Sequence, residues 1–149
     1  MSAPYEKSIL IAIVILGIAF MNGCFEKEQE EHVAKTEINL SNNGLEVKIF
    51  PTNETKVNGV ITVELEKIPS KATKILVSMV PQGFSGDLYN NSNVIIQWIN
   101  NPYEGQQILL DTTKVENGVY GIGVSATYEG APESSPWIAL VQTQVNVEN

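Results

Sequence analysis

From residue 45 to the end of the chain, apolar and polar residues alternate with a period of two. Neighbouring side chains of a strand point to opposite faces, so each alternating run predicts a strand with one buried face. Glycine, asparagine and proline separate the runs, as in Asn58-Gly59 and Asn117-Gly118, and these residues favour turns. The predicted inward rows are Leu45, Val47 and Ile49; Ile61, Val63 and Leu65; Ile75, Val77 and Met79; Val94, Ile96 and Trp98; Ile108 and Leu110; Tyr120, Ile122, Val124, Ala126 and Tyr128; and Val141, Val145 and Val147. About seven short strands without a helical stripe predict an all-β, antiparallel sandwich.

The N-terminal part shows a different pattern. Lys7 and the amino terminus precede an uninterrupted apolar or small stretch, Ile9–Met21. A charged region followed by such a stretch is typical of a secretory signal, whereas a membrane-spanning helix needs about 20 apolar residues. We therefore expect residues 1–23 to be a signal peptide or a membrane anchor, with the rest of the chain outside the cytoplasm.

The end of this stretch carries the only cysteine of the chain, Cys24. The residues Met21-Asn22-Gly23-Cys24 resemble the lipobox of bacterial and archaeal lipoproteins. In that family the chain is cleaved before the cysteine, whose thiol receives a diacylglyceryl group. The resemblance implies that Cys24 is lipidated, and two acyl chains give stable membrane anchoring. An uncleaved anchor and a soluble secreted product are the alternatives.

A polar segment follows the predicted lipid site. Residues 24–43 are rich in charge and show little hydrophobic periodicity, so they are predicted to be a tether between the membrane and the folded domain. The β-rich domain is predicted to cover residues 44–149, which is an ordinary size for one domain.

Several short motifs in the predicted domain occur in a known class of modules. They are Asn58-Gly59-Val60, Lys74-Ile75-Leu76-Val77, Pro102-Tyr103, Leu110-Asp111-Thr112-Thr113, Asn117-Gly118-Val119-Tyr120, Ala126-Thr127-Tyr128 and the closing Val145-Asn146-Val147. With these motifs, residues 51–149 resemble an immunoglobulin-like or fibronectin-III-like module of prokaryotic cell-surface proteins. Leu110 and Tyr128 depart from that pattern, which more often has Trp and Asp there. The resemblance implies the fold and says little about activity.

One of these motifs has a physical interpretation of its own. Gly118 can adopt the positive φ of a tight corner, and Tyr120 then enters the next strand. Its hydroxyl can donate a hydrogen bond back to the backbone of the corner, as in a tyrosine corner. Because the domain has no cysteine, packing rather than a disulfide must hold the strands together.

Charge and residue types exclude several functions. The formal net charge is −8 and there is no arginine, so nucleic-acid binding is not expected. The only histidine, His32, lies in the predicted tether, which argues against catalysis by a histidine-activated nucleophile. The sequence offers no cluster of soft or borderline metal ligands, and no local Asp-x-Asp pattern that would indicate calcium, so no metal and no cofactor are predicted.

Carboxylates are the remaining chemical groups in predicted loops. Asp87, Glu104, Asp111 and Glu129 could form the paired acids of a small envelope hydrolase, provided that two of them converge in one pocket. For Asp111 the alternative is turn chemistry, in which its carboxylate accepts backbone N–H groups near Thr113.

A second set of side chains suggests recognition. Residues 83–105 place aromatic rings among Asn, Ser and Gly, a composition typical of binding surfaces, including those for sugars. The predicted binding residues are Phe84, Tyr89, Trp98, Tyr103 and, before the last strand, Trp137. The alternative for Trp98 and Tyr103 is packing against the core.

Together these observations predict a non-enzymatic, membrane-anchored extracytoplasmic module that binds a protein or a glycan. The alternatives are the small hydrolase above and a structural spacer within a larger envelope assembly.

Overall fold

The computed structural model describes residues 37–51 and 56–149, and it is mostly β-structure arranged in two sheets. The strands are β1 (Ile38–Asn42), β2 (Leu45–Phe50), β3 (Lys56–Val57), β4 (Val60–Lys67), β5 (Lys74–Pro81), β6 (Ile95–Asn100), β7 (Gln106–Asp111), β8 (Gly118–Thr127) and β9 (Ala139–Val147). Two short 3₁₀ helices, Leu88–Asn90 and Thr112–Lys114, lie in connections. The all-β prediction is therefore confirmed.

The two sheets differ in size and connectivity. The smaller has the strand order β1-β2-β4-β7 and the larger has the order β3-β9-β8-β5-β6. All neighbours are antiparallel except β3, which pairs in parallel with β9. The inward rows of both sheets form one hydrophobic core, and its alternation follows the period of two in the sequence.

Three predicted inward residues, on β6 and after β8, are wrong. On β6, Ile95 and Ile99 pack against the core, whereas Ile96 and Trp98 occupy the alternate positions. Tyr128 follows the end of β8 and is exposed. The segment around β6 has apolar residues at consecutive positions, so alternation alone could not determine which set faces inward.

The β-structure also begins earlier than the predicted domain boundary. Strand β1 lies within the segment 24–43 that was predicted to be a tether, and it forms a hairpin with β2. The loop is Asn43-Gly44, with φ of 47° and 81°. Two consecutive residues with positive φ make the tight hairpin turn that Asn-Gly favours. Strand β3 was not predicted, because two residues are too few to show a period.

The predicted tyrosine corner is confirmed. Gly118 has a φ of 150°, and the hydroxyl of Tyr120 donates a 2.8 Å hydrogen bond to the backbone carbonyl of Glu116. The ring of Tyr120 is buried in the core. Burial raises the pKa of its hydroxyl, and the charge of Glu116 raises this pKa further.

Replacing Tyr120 by phenylalanine is expected to lower the free energy of unfolding by about 0.5–1.5 kcal/mol at neutral pH, because one hydrogen bond is lost. The raised pKa favours the neutral hydroxyl in the folded state. Its contribution is therefore complete below the ordinary pKa of 10.0 and falls as the pH rises through the higher folded value. Urea denaturation at neutral and strongly alkaline pH should show the difference between the two proteins shrinking, and an unchanged difference would contradict this assignment.

Residues 1–23 and Cys24 lie outside the described residues, as does most of the predicted tether. Within residues 37–51 and 56–149, no helix has the length and apolarity needed to cross a membrane.

Candidate binding site

Trp98 reaches the outer surface of the larger sheet because of its position on β6. Its neighbour Ile99 packs against the core, so the next side chain along the strand points away from it. Trp98 pairs across the sheet with Leu76 of β5 and remains 44% exposed. A large apolar side chain is therefore presented to solvent from a regular strand, where the backbone holds it firmly.

Trp137 reaches the same area from the connection between β8 and β9. Two hydrogen bonds fix this connection on either side of the indole. The hydroxyl of Thr127 donates to the carbonyl of Pro136 at 2.5 Å, and the N–H of Ile138 donates to the carbonyl of Ala126 at 2.8 Å. Farther along the connection, the N–H of Glu129 donates to the hydroxyl of Thr73 at 2.9 Å.

The two indoles, which are the only tryptophans of the chain, stack on each other. Their ring centroids are 6.3 Å apart and the ring planes are inclined by 21°. This separation is within the range of offset aromatic pairs. Trp137 is 39% exposed, so both rings keep accessible surface despite the stacking.

The indole pair borders an open pocket of about 340 Å³. The larger sheet contributes Lys74, Asn100 and Thr127, and the β8–β9 connection contributes Glu129 and Pro136. The pocket therefore combines aromatic surface with an ammonium, an amide, a hydroxyl and a carboxylate. Apolar walls with a few polar groups are characteristic of small-ligand sites.

The structure brings together only two of the predicted binding residues at this pocket. Phe84 and Tyr89 lie in the β5–β6 connection, which follows the Pro81 end of β5, whereas the pocket is at the Lys74 end. Seven residue steps separate these ends, or about 23 Å at the usual rise of a strand. Tyr103 is exposed in the turn between β6 and β7 and does not line the pocket.

The four carboxylates of the hydrolase hypothesis are not gathered around this pocket, and only Glu129 lines it. Asp87 caps the first 3₁₀ helix by accepting the N–H of Tyr89 at 2.9 Å. Asp111 accepts the N–H and the hydroxyl of Thr113 at 3.2 Å and 2.6 Å, which confirms the predicted turn chemistry. The hydroxyl of Thr113 is the main cause of the lowered pKa of Asp111.

Sequence reasoning did not predict the polar part of the site, namely Lys74, Asn100 and Thr127, and it considered Glu129 only as a candidate acid. These residues lie near strand ends, and no local motif marks them. The first three are brought side by side by the register of β6, β5 and β8, in which Lys74 pairs with both Asn100 and Thr127. Only the strand pairing, which the sequence does not state, shows that they share one row.

Within the described residues, no group of three or more His, Cys, Asp or Glu side chains is arranged to hold a metal ion. Comparison of the chain with protein-family models, with curated proteins and with solved structures gives no match.

Replacing Thr127 by valine keeps the size of the side chain but removes the hydrogen bond to Pro136. We expect the free energy of unfolding to fall by about 0.5–1.5 kcal/mol and the stacking of Trp98 and Trp137 to weaken. The circular dichroism of the coupled indoles measures the stacking directly. Thr62→Val, on the outer face of the smaller sheet, is the matched control. An indole signal that is the same in both variants would show that Thr127 does not position Trp137.

Proposed function

We propose that this protein is a membrane-anchored extracytoplasmic lipoprotein whose immunoglobulin-like domain binds a glycan, without catalysis, at the Trp98–Trp137 pocket. The observation that carries the proposal is the pair of exposed, stacked indoles beside a pocket with polar walls. Glycan binding is preferred to the other functions because of the chemistry and the size of this pocket.

The chemistry of the pocket suits a sugar ring. A pyranose presents an apolar C–H face and a rim of hydroxyl groups. The indoles of Trp98 and Trp137 can cover the face, and the resulting burial of apolar surface contributes about 25 cal/mol per Å². Lys74, Asn100 and Glu129 offer both donors and acceptors for the hydroxyl groups, which would otherwise lose their hydrogen bonds to water.

The size of the pocket favours a small chemical unit over a folded partner. Its volume of about 340 Å³ lies at the lower end of the range for small-ligand sites. A stable protein interface usually covers about 800 Å² on each partner, far more than this pocket offers. We therefore propose a sugar unit as the occupant, not a protein loop.

The topology supports the immunoglobulin-like part of the proposal. We assign β2, β4 and β7 to strands A, B and E of that fold, and β5, β8 and β9 to strands C, F and G. The orders in the two sheets then agree with this assignment, and β6 takes the place of strand C′. The hydrogen bond from Tyr120 to Glu116 occupies the position of a tyrosine corner at the start of strand F.

The anchoring part of the proposal is supported by the sequence of residues 1–24. The mature protein isolated from native membranes is expected to begin at Cys24 and to carry the mass of a diacylglyceryl group. Mass spectrometry of the N-terminal peptide measures both. An intact Met1 or an unmodified Cys24 would contradict lipidation and leave the proposed binding site unaffected.

Binding is tested by applying the full-length protein in detergent to an array of immobilised neutral and charged oligosaccharides. We expect at least one glycan to retain the protein, and the same glycan in solution to change the fluorescence of Trp98 and Trp137. Because these are the only tryptophans, the change reports on this pocket. Retention without any change of indole fluorescence would place binding elsewhere, and no retention across the array would contradict glycan binding.

A further inference from the structure

The outer faces of the two sheets have opposite character. On the smaller sheet the outward side chains are largely charged and paired, as in Lys48–Glu66 at 3.2 Å and Lys67–Glu46 at 2.7 Å. On the larger sheet the central part of the outer face is uncharged, and Leu76, Val80, Ile96 and Leu140 lie there beside Ser78, Gln142 and Gln144. An outer sheet face normally carries polar residues in contact with solvent, so the larger sheet departs from the expected pattern.

Two glycines lie in the middle of this uncharged face. Gly121 and Gly123 are on β8, and neither has a positive φ, so the backbone does not require glycine at either position. A Cβ atom on Gly121 would find its nearest neighbour, the carbonyl oxygen of Val80, at 3.9 Å, which is an ordinary contact. Glycine within a strand lowers stability by about 0.5–1 kcal/mol relative to alanine. The absence of a side chain at Gly121 therefore has no local structural reason.

The missing side chains leave a trough of about 510 Å³ across the outer face. Gly121 and Gly123 form its floor, and Ser78, Leu140, Gln142 and Gln144 contribute to its walls. None of its lining residues is charged, although the chain has a formal net charge of −8. Hydroxyl and amide groups beside apolar surface match a neutral, hydroxyl-rich ligand and offer no counter-charge to an ionic one.

The trough lies on the same face as the tryptophan pocket, and one row of paired residues reaches from one to the other. Leu76 pairs with Trp98 on one side and with Ser125 on the other, and Ser125 pairs with Leu140 of the trough wall. Four residues farther along β5, Val80 pairs with Gly121, and Gly121 pairs with Gln144. The row of Gly121 in the trough therefore lies about 13 Å along the strands from the row of Trp98, at the usual rise per residue.

We infer that the ligand is a neutral oligosaccharide chain, with one sugar unit on the Trp98–Trp137 pair and the following units in the trough over Gly121 and Gly123. This inference rests on the proposed glycan binding and adds the charge and the extended form of the ligand. The protein then recognises an internal stretch or the end of a polymer and not an isolated monosaccharide.

The test compares oligosaccharides of increasing length. The probes are ladders of neutral gluco-, manno- and N-acetylglucosamine oligosaccharides, from one sugar unit to six, titrated into the full-length protein and followed by tryptophan fluorescence. For the series that binds, affinity is expected to rise by roughly tenfold or more between two and six units. In Gly121→Val, whose side chain fills the floor of the trough, this gain should disappear while the affinity for the shortest binding probe is unchanged.

Gln142→Ala, which removes an amide from the trough wall, should reduce the gain with length, whereas Gln107→Ala on the outer face of the smaller sheet should not. Thermal unfolding of each variant verifies that it is folded.

Short probes that bind without any gain in affinity with length, or a gain that persists in Gly121→Val, would overturn this inference and leave the proposed function standing. No fluorescence response to any of these neutral probes would overturn the inference. It would overturn the proposed function as well only if no glycan of the array, neutral or charged, retained the protein. A dimer in sedimentation that Gly121→Val abolishes would assign the trough to a second copy of the chain and overturn the inference.

Discussion

Replacing Leu110 by alanine is expected to lower the free energy of unfolding by about 2–5 kcal/mol. Leu110 lies on β7, the edge strand of the smaller sheet, and its side chain is fully buried in the core that both sheets share. Truncation removes apolar contacts and leaves a cavity between two sheets that regular hydrogen bonding holds in place. Urea denaturation followed by far-ultraviolet circular dichroism measures the loss.

The neighbouring residue supplies a matched control on the same strand. Leu109 is 57% exposed, so Leu109→Ala is expected to change the free energy of unfolding by no more than about 0.5–1 kcal/mol. An equal loss of unfolding free energy in the two variants would contradict the assignment of Leu110 to the inward face of β7, and therefore its place in the shared core. Because the substitutions are chemically identical, the propensity for strand formation contributes equally to both.

Trp98→Ala and Trp137→Ala are each expected to weaken glycan binding by about 30-fold or more, which corresponds to roughly 2 kcal/mol. Each substitution removes half of the aromatic surface and also frees the remaining indole from its stacking partner. The effects of the two should not add in the double variant, because residues in contact share their binding energy. Isothermal titration calorimetry with the glycan identified on the array measures all three affinities.

Two other aromatic residues are suitable controls for this experiment. Tyr89 and Tyr103 are more exposed than either tryptophan, and the sequence predicted them as binding residues, but neither lines the pocket. Tyr89→Ala and Tyr103→Ala should therefore retain the wild-type affinity within about twofold, as expected for surface substitutions away from the site. A loss at either tyrosine as large as that at Trp98 would show that the binding surface is wider than the pocket, or lies elsewhere.

Most of the inward rows could be predicted from the sequence, and the reason is visible in particular strands. On β2, Leu45, Val47 and Ile49 alternate with charged residues, so only one register buries the apolar set. The same holds for β4, with Glu64 and Glu66 on its outer side. Burial and strand geometry impose the same period on such segments, and the sequence shows that period directly.

Where the outer face is itself apolar, this reasoning fails. The run Val94-Ile95-Ile96 is compatible with either face of β6 pointing toward the core. The alternation predicts that Ile96 and Trp98 lie on the inward face, but they lie on the outward face. The ambiguity has a physical origin, because the outer side of β6 carries large apolar residues without being part of the core. The strand whose inward face was predicted wrongly is thus the strand that contributes Trp98 to the candidate site.

The hairpin at the start of the described residues shows a different kind of failure. The Asn43-Gly44 turn is a strong local signal, and in β1 Ile38 and Leu40 alternate with polar residues, but two apolar residues are too short a run to establish a period. Its neighbour β2 and a hydrogen bond from the side chain of Asn42 to the carbonyl of Leu140 on β9 hold β1 in place. Its contacts with the rest of the fold, which the local sequence does not show, distinguish this short strand from a polar tether.

The site itself was half predictable. The abundance of aromatic residues indicated Trp98 and Trp137, but their proximity depends on the pairing of β6 with β5 and on the hydrogen bond from Thr127 to Pro136. The polar partners Lys74 and Asn100 become neighbours only through strand register. Contacts between residues far apart in the chain have no signature in a single sequence.

The most direct test of the central claim observes the two indoles individually. The protein labelled with ¹⁵N should show two indole Nε1–H cross-peaks, one from Trp98 and one from Trp137, which the single-tryptophan variants assign. On titration with the bound glycan, both cross-peaks are expected to shift together and to give the same dissociation constant. Saturable binding that leaves both cross-peaks in place would contradict the claim that this pair is the recognition site.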